Sequence, residues 1–329
     1  MAVTNAENLK LYDSQFQSGM YEKVAQQLEA FNGASRNTIR LFSNNLVGQY
    51  SREAFFKYVS GLVTRRNLAS NSGASIINLD QDEKVGVRMN RKIGPVDTAI
   101  GALKLIGKTQ EEVSFIIGQM FGESKMQDML NNGIAAVSAA LIEQGSNLYD
   151  ATSDSLKTAN AAAMNKALAK MGDRASRVIA WVMHSKAYHD LIGNQITDKV
   201  TGISDIIIYG ASPGTLGRPV IVTDAPALYQ ANGSGTSDDI YFTLGLVENA
   251  VSVAEPSEDT TASEVVTGSE QLVFRVQSEF DVMLNVLGFA WNIGAGGANP
   301  TSTAVATGTN WTKIATSNKD LAGVVVKSQ

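Results

Sequence analysis

One serine lies in a pattern that is typical of hydrolase nucleophiles. Ser212 is the centre of Gly210-Ala-Ser-Pro-Gly214, which matches Gly-x-Ser-x-Gly and follows a run of β-branched residues. In such enzymes a helix follows the serine, and the catalytic histidine lies further along the chain. Here Pro213 and Gly214 lead into another predicted strand, and no histidine follows residue 189. The pattern therefore indicates a turn rather than a nucleophile.

The two histidines do not have the spacing of a metal site. His184 and His189 are five residues apart, whereas a helical metal pair needs a separation of four, and no glutamate lies between them. The chain has no cysteine, which excludes disulfides and thiolate ligands. We therefore expect no metal-binding residues.

Other short patterns also fail to indicate a reactive site. Gly294-Ala-Gly-Gly297 lacks both a following helix and the lysine of a phosphate-binding loop. Glu111 and Glu112 are explained as partners of a helix dipole. The sequons at Asn232 and Asn310 matter only in a secreted protein. We expect no catalytic residue, no cofactor and no enzyme activity.

The composition favours a subunit that hides much of its surface. The 329 residues suffice for two domains or one large discontinuous domain, and 44% of them are apolar. Only 18% are charged, which is below the usual quarter. We find neither a signal peptide nor the ~20 apolar residues of a membrane span. We therefore expect the protein to be made and kept in a cytoplasm.

Charge is distributed unevenly along the chain. Residues 1–108 hold 14 basic and 9 acidic residues, whereas the remainder holds 13 and 23. Two explanations fit this distribution equally well. The first is chance together with solvated faces, and the second is a basic N-terminal third that lies on the acidic body of a neighbouring subunit. An acidic protein is a poor nucleic-acid binder, because such binding rests on neutralising phosphates.

Residues 176–224 predict the order strand, helix, strand, turn and strand. The first strand is Arg177–Met183, and the helix Lys186–Ile192 ends at Gly193. Ile203–Tyr209 and Leu216–Asp224 are the later strands, on either side of the turn at Gly210–Gly214.

This order resembles the axial domain of tailed-phage major capsid proteins of the Hong Kong 97 type. In that family a strand-to-helix step like Trp181-Val-Met-His-Ser-Lys-Ala-Tyr188 precedes a Leu-Gly-x-Pro-Val segment, which is Leu216-Gly-Arg-Pro-Val220 here. Leu272–Asp281 is similar to the family's peripheral-domain strand. The likeness covers roughly residues 67 to 293.

A long helix is predicted in the middle of the chain. Thr109-Gln-Glu-Glu112 matches a capping box, and apolar residues then keep helical spacing as far as Gln144-Gly145. If continuous, the 36 residues span roughly 54 Å. Gly118, Gly122 and Gly133 each cost about 1 kcal/mol against alanine, which predicts a kink or a close neighbour. The resemblance implies that this is the family's spine helix.

The N-terminal third predicts a helix and a hairpin. An apolar stripe from Leu9 to Phe31 predicts a helix that ends at Asn32-Gly33, and an aromatic stretch covers 39–63. Ser75–Leu79 and Val85–Met89 predict a half-exposed hairpin around the turn 80–84. The resemblance implies an N-terminal arm and an extended loop that lie over neighbouring subunits.

The rest of the chain is less regular. We predict a polar connection at 147–157, a short helix at 158–171 and strands at 240–247 and 250–254, followed by an acidic turn at 255–264 and long strands within 271–291. The segment 294–323 is either an ordered surface excursion or a mobile tail.

The sequence thus predicts an α+β protein of the Hong Kong 97 type. Its parts are an N-terminal arm (1–66), an extended loop hairpin (67–98), a peripheral domain with the spine helix (99–172), an axial domain (173–247), peripheral return strands (248–293) and a Gly/Ala/Thr-rich segment (294–329).

The resemblance implies a phage major capsid protein that forms an icosahedral shell around double-stranded DNA. It further implies pentamers and hexamers, a portal, no specific nucleic-acid site, no membrane partner, and assembly in the bacterial cytoplasm. The need for a scaffold or cement protein stays open. Two alternatives stay open: a cytoplasmic α/β enzyme with an unrecognised site, and another self-assembling phage protein of the tail or of the capsid decoration.

Overall fold

The computed structural model describes residues 6–44, 46–57, 59, 61–63, 65, 68–69, 73, 76–101, 110–200, 215–232, 239–268 and 270–329. The strand predicted at 203–209 and the turn around Ser212 therefore lie outside the described residues.

Six α-helices occur in the described part of the chain. Their bounds are α1 Ala6–Ala34, α2 Gln110–Gln144, α3 Ala161–Ala169, α4 Ser185–Val200, α5 Ile293–Gly296 and α6 Ser302–Val305. The predictions of an N-terminal helix and a long central helix are confirmed. At ~1.5 Å per residue, the 35 residues of α2 span about 52 Å.

Most of the remaining regular structure is β-strand. The bounds are β1 Ile39–Ser43, β2 Tyr50–Phe56, β3 Gln81–Ala99, β4 Leu148–Asp150, β5 Val178–Met183, β6 Val220–Val222, β7 Tyr229–Gln230, β8 Ile240–Val247, β9 Val251–Glu255, β10 Thr260–Val266, β11 Val273–Val286, β12 Phe289–Trp291, β13 Trp311–Lys313 and β14 Gly323–Ser328. Short 3₁₀ turns at 172–177, 226–228, 308–310 and 318–320 connect several of them.

The strands form two six-stranded sheets and one two-stranded sheet. In the first sheet the order is β1-β9-β11-β3-β2, with β10 paired to β11 beyond the end of β9. In the second sheet the order is β4-β14-β8-β5-β6, with β7 paired to β8. β12 and β13 pair with each other. The α+β class predicted from the sequence is therefore what the chain forms.

Helix α2 supplies much of the core. The apolar stripe predicted from the sequence faces inward, and Met129, Ile134, Val137 and Leu141 are at most 2% exposed. Strand β11 alternates buried and partly exposed residues, which is typical of a sheet packed on one face. The burial of both elements agrees with their sequence periods.

Helix α1 packs against α2 with unusually close backbones. A Cβ atom on Gly118 would lie 2.2 Å from the carbonyl oxygen of Phe16, and one on Gly19 would lie 2.6 Å from that of Phe115. Gly122 approaches the carbonyl oxygen of Met20 in the same way. The sequence analysis predicted that these glycines mark either a kink or a close neighbour. The structure shows a close neighbour, helix α1.

The hairpin prediction for residues 75–89 is wrong in its details. Residues 81–99 form the single strand β3, and Ile76–Leu79 lie in no strand. The predicted turn is strand because it pairs with β2, where Lys84 lies opposite Glu53 and Asp82 lies opposite Phe55. Asp82 also forms an ion pair at 2.9 Å with Lys57, the first residue after β2. The hairpin that the chain forms is β2, the connecting loop 57–80, and β3; we call it the extended hairpin.

Three other predicted boundaries are corrected. Helix α4 continues through Gly193 to Val200, because one internal glycine costs a helix only about 1 kcal/mol and the next residue, Asn194, anchors it by donating to the carbonyl of Ala159 at 2.9 Å. The polar connection contains β4, which pairs with β14. The acidic turn is shorter than predicted, because 260–266 pair with β11 as β10.

Residues 294–329 are an ordered excursion that returns to the core. Trp291 and Trp311 pack edge to face with ring centroids 5.0 Å apart, and the indole nitrogen of Trp311 donates to the carbonyl of Val305 at 2.9 Å. The chain then enters β14, where Val324 to Val326 are buried between β4 and β8. The structure thus selects the ordered alternative and adds a core strand.

We predict that Gly118→Ala destabilises the subunit, since the added methyl group meets a backbone oxygen that cannot move alone. Overpacking of this kind costs about 1–3 kcal/mol. Gly193→Ala is the matched control, because a Cβ atom there meets nothing within 4 Å and alanine favours a helix by up to about 1 kcal/mol. Urea unfolding of both variants measures the difference. Equal midpoints would show that the close contact of α1 and α2 carries no constraint.

Candidate assembly site

Each of the two histidines contacts neighbouring side chains. His184 Nε2 lies 3.4 Å from Asp224 Oδ1, and its ring stacks near Tyr241 with centroids 5.1 Å apart. His189 lies on α4 beside the ring of Tyr188. Among the described residues no group of three or more histidine or acidic side chains is placed to hold a metal ion.

The glycines near residue 295 serve packing rather than ligand binding. Asn292 caps the single turn of α5, and the indole nitrogen of Trp291 donates to the carbonyl of Gly297 at 3.0 Å. A Cβ atom on Gly296 would lie 2.1 Å from the Trp291 ring. Asn310 is buried and donates to the carbonyl of Ala304, so it is part of the same packing unit.

A cleft of about 1060 Å³ lies between the extended hairpin and the C-terminal excursion. Phe56 and Ile314 contribute apolar walls, and the charged groups include Asp173 and Asp320. These carboxylates are already paired, Asp173 with Lys319 and Asp320 with two arginines. Among the described lining residues, no nucleophile is paired with a general base.

The connecting loop of the extended hairpin exposes apolar side chains to water. Val63 is 96% exposed, Ile76 88% and Leu68 84%. Leu62, Ile77 and Leu79 are also exposed. Monomeric proteins rarely expose so many large apolar side chains in one segment, and such segments mark interaction surfaces. The loop therefore carries the features of an assembly surface.

The base of the extended hairpin is held firmly to the body. Arg88 on β3 forms an ion pair with Asp281 on β11, and Ser257 Oγ donates to the same carboxylate at 2.8 Å. Gln49 Nε2 donates to the carbonyl oxygen of Arg88 at 2.8 Å. The exposed loop thus projects from a fixed base rather than from a hinge.

A buried charged cluster joins α2 to the end of β9. Lys125 of α2 forms ion pairs with Glu255 and, at 2.6 Å, with Asp259. The side chains of Lys125 and Asp259 are only 3% and 2% exposed. The Lys125 ammonium also lies 5.5 Å from the ring centroid of Phe280. One cation therefore ties α2 to the turn between β9 and β10.

Sequence reasoning missed this cluster, because Lys125 and Asp259 are 134 residues apart in the chain. Each residue taken alone has the pattern of a solvated charge. The concentration of acidic residues at 255–264 was the only available signal.

The cluster holds two carboxylates for one ammonium. Burial, with a further contribution from the hydrogen bond to Asp259, raises the pKa of Glu255 to about 7, although Lys125 opposes the shift. Burial and the negative charge of Asp259 also raise the pKa of Tyr21, which faces the cluster from α1. Glu255 and Asp259 lie close together in a buried site, which favours the protonated form of Glu255. The carboxyl group of Glu255 therefore stays protonated in the folded subunit at pH values where it is ionised in the unfolded chain.

We predict that this proton makes stability fall as pH rises. A group whose pKa is higher in the folded state contributes its full stabilisation below the unfolded value, here 4.5, and loses it as pH approaches about 7. In wild type the free energy of unfolding of the free subunit should drop by about 2–3 kcal/mol over that range relative to Glu255→Gln. The exposed Glu248→Gln is the control and should follow wild type. Parallel pH profiles for wild type and Glu255→Gln would contradict the prediction.

Comparison with known proteins identifies the fold and the family. The family model described as "Gp13-like: Major capsid protein 13-like" matches residues 8–325. Among curated proteins none matches this chain. No helix within the described ranges is both long enough and apolar enough to cross a membrane.

Solved capsid structures share the fold at low sequence identity. The capsid of cyanophage Pam1 has a TM-score of 0.52 at 12% identity, with 88% of each chain covered. The capsid of Ralstonia phage GP4 has 0.51 at 11% identity, with 88% of this chain and 87% of that one covered. Mycobacterium phage Adephagia gives 0.51 at 10% identity, with coverage of 88% and 87%. The predicted Hong Kong 97-type fold is confirmed by these likenesses. The chain is a structural, shell-forming protein rather than an enzyme, and it belongs to the Gp13-like family of major capsid proteins.

Proposed function

We propose that copies of this subunit form pentamers and hexamers that close into an icosahedral shell around double-stranded DNA. The observation that carries the proposal is the connecting loop 57–80, whose described residues expose six large apolar side chains and which projects from a fixed base. A surface of this kind is stable only when another surface covers it. In a shell of identical copies each loop has such a partner.

The division of the subunit follows the family. We propose an N-terminal arm at 1–66, an extended loop at 67–98, a peripheral domain at 99–172 with return strands at 248–293, an axial domain at 173–247 and a C-terminal segment at 294–329. The separation of the two sheets supports this scheme: β5 to β8 lie in the second sheet, and β9 to β11 lie in the first.

The charge distribution supports association between unlike surfaces. The basic first third, with a net charge of +5, and the acidic remainder, with −10, attract each other across a subunit boundary. Many such weak contacts add up in a closed shell, because each one raises the local concentration of the next. An acidic container encloses DNA without a specific nucleic-acid site.

The other partners are those of a phage head. We propose a portal at one vertex, a scaffold or cement protein during assembly, and assembly in the host cytoplasm. The family match removes the support for the two alternatives, an enzyme and a tail or decoration protein.

Negative-stain microscopy and sedimentation of the purified protein test the proposal directly. We expect closed particles or rings of five and six subunits at micromolar concentration. A subunit that stays monomeric under all assembly conditions would refute self-assembly.

We predict that the polar residues first considered for chemistry are dispensable for the shell. The triple variant Ser212→Ala, His184→Gln and His189→Gln should still form particles. Ile134→Asp should not fold, because a buried carboxylate without a partner costs several kcal/mol against a total stability of about 5–15. A triple variant that is folded by circular dichroism and yet forms no particles would assign those residues a role in assembly.

We predict that trypsin cuts the free subunit in the connecting loop, at Arg65, and not at Arg88. Arg65 is exposed and lies in no strand, whereas Arg88 lies within β3 and is paired with Asp281. Assembled particles should resist the same cleavage, since neighbours cover the loop. Mass spectrometry of the fragments measures both states. Equal cleavage rates in subunit and particle would mean that the loop is not covered.

A further inference from the structure

We propose that Ile76–Leu79 of one copy adds as a β-strand to the free edge of β10 of a second copy. This inference rests on the proposed function and names the surface that receives the connecting loop. It assigns the partner as a second copy of this chain, bound through backbone hydrogen bonds along Thr260–Val266.

The sequence of the donor segment predicts a β-strand, but no described strand of the same chain pairs with it. Ile76-Ile-Asn-Leu79 is β-prone and predicts a strand, yet within the described residues no strand pairs with it. Ile76 is 88% exposed and Leu79 60%. A short β-prone segment of this kind reaches its preferred state only against another strand.

The receiving edge is the outer side of β10. β10 pairs with β11 along all seven residues, and no described strand pairs with its other side. Its side chains are mostly exposed, and a shallow cleft of about 410 Å³ runs over its face along Ala262 and Glu264. Exposed strand edges present unpaired backbone groups that bind added strands.

The other described edges suit the segment less well. The edge at β1 is already occupied, since Asn32 accepts from the backbone nitrogen of Leu41 and donates to its carbonyl. The edge strands β4 and β6 of the second sheet have only three residues each. β2 has seven residues, but Arg52 and Glu53 leave it without net charge. Among the described edge strands, β10 is therefore the one that is both long and carries a net charge, which Glu264 supplies.

Charge favours β10 further. Residues 256–270 contain four acidic residues and no basic one. The connecting loop 57–80 contains three basic residues and one acidic residue, a net charge of +2. Opposite charges on the flanks of the two strands attract the copies and help to fix the pairing register.

The segment cannot reach β10 of its own copy. Lys92 of β3 lies opposite Glu279, and Glu279 lies opposite Thr260, so β10 is level with the later half of β3. Leu79 precedes the start of β3 at Gln81. Lys92 is twelve residue steps from Asp80 along the chain, which is about 40 Å at ~3.3 Å per residue. The pairing is therefore between copies.

Such pairing is head to tail. Each copy donates its segment 76–79 and receives another on β10, which is a heterologous contact that generates rings when the rotation closes. A single interaction type can thereby connect all copies of a ring.

The absence of cysteine from the chain makes the contact measurable. Ile77→Cys is combined in turn with Ala262→Cys, Glu264→Cys or Val265→Cys, and the particles are oxidised. We expect a ladder of covalent multimers for at least one pair, because cross-strand neighbours lie within disulfide distance. Ile77→Cys alone is one control, and Ile77→Cys with Ala54→Cys on β2 tests the competing edge.

Hydrogen exchange of the wild-type protein provides a readout without mutation. Outward-facing amides of β10 should exchange about tenfold or more slowly in particles than in free subunits. If particles form but no pair with β10 crosslinks and its exchange is unchanged, the inference is overturned and the proposed function stands. If the wild-type protein forms no particles at all, the proposed function fails and the inference fails with it.

Discussion

β3 and β11 pair antiparallel from Ala99 opposite Val273 to Val87 opposite Leu284, and the assembly surfaces are positioned by this ladder. The other side of β3 holds β2 and thereby the connecting loop. The other side of β11 holds β10 and then β9. Arg88 with Asp281 and Arg275 with Asp97 add ion pairs across the same two strands. The donor loop and the receiving edge are therefore fixed relative to each other by one rigid element, and the angle between successive copies follows from it.

The long helix α2 connects this ladder to the rest of the core. Its glycines admit α1 on one side, and Lys125 holds the turn that leads into β10. A charged cluster buried so deeply is weak evidence for stability, because desolvation offsets the attraction between its members. The ion pairs of Lys125 instead fix the position of the turn between β9 and β10 along helix α2. The receiving edge thus depends on a contact far from its own strand.

The sequence predicts those features that have a local cause. Helix α2 was predictable because its apolar residues repeat with the helical period over 35 positions. Strands β8 and β11 were predictable from their apolar and alternating patterns. The turn predicted at 80–84 is wrong because residues 81–84 pair with β2, which lies about 30 residues earlier in the chain. The cluster around Lys125 was unpredictable for the same reason, since only the fold brings its members together. The fold class and family followed from the order of elements, whereas the receiving surface required the strand register.

β14 has a consequence for how the subunit is made. It lies between β4 and β8, and its Lys327 pairs with Asp150 across a separation of 177 residues. It is the last of the six strands of its sheet to leave the ribosome. Until then β4 has no strand partner in the sheet, and β8 lacks its neighbour on one side. Pairing across so long a stretch of chain is slow, because the loop must close before the contacts form. The second sheet is therefore completed only after residues 323–328 have been synthesised.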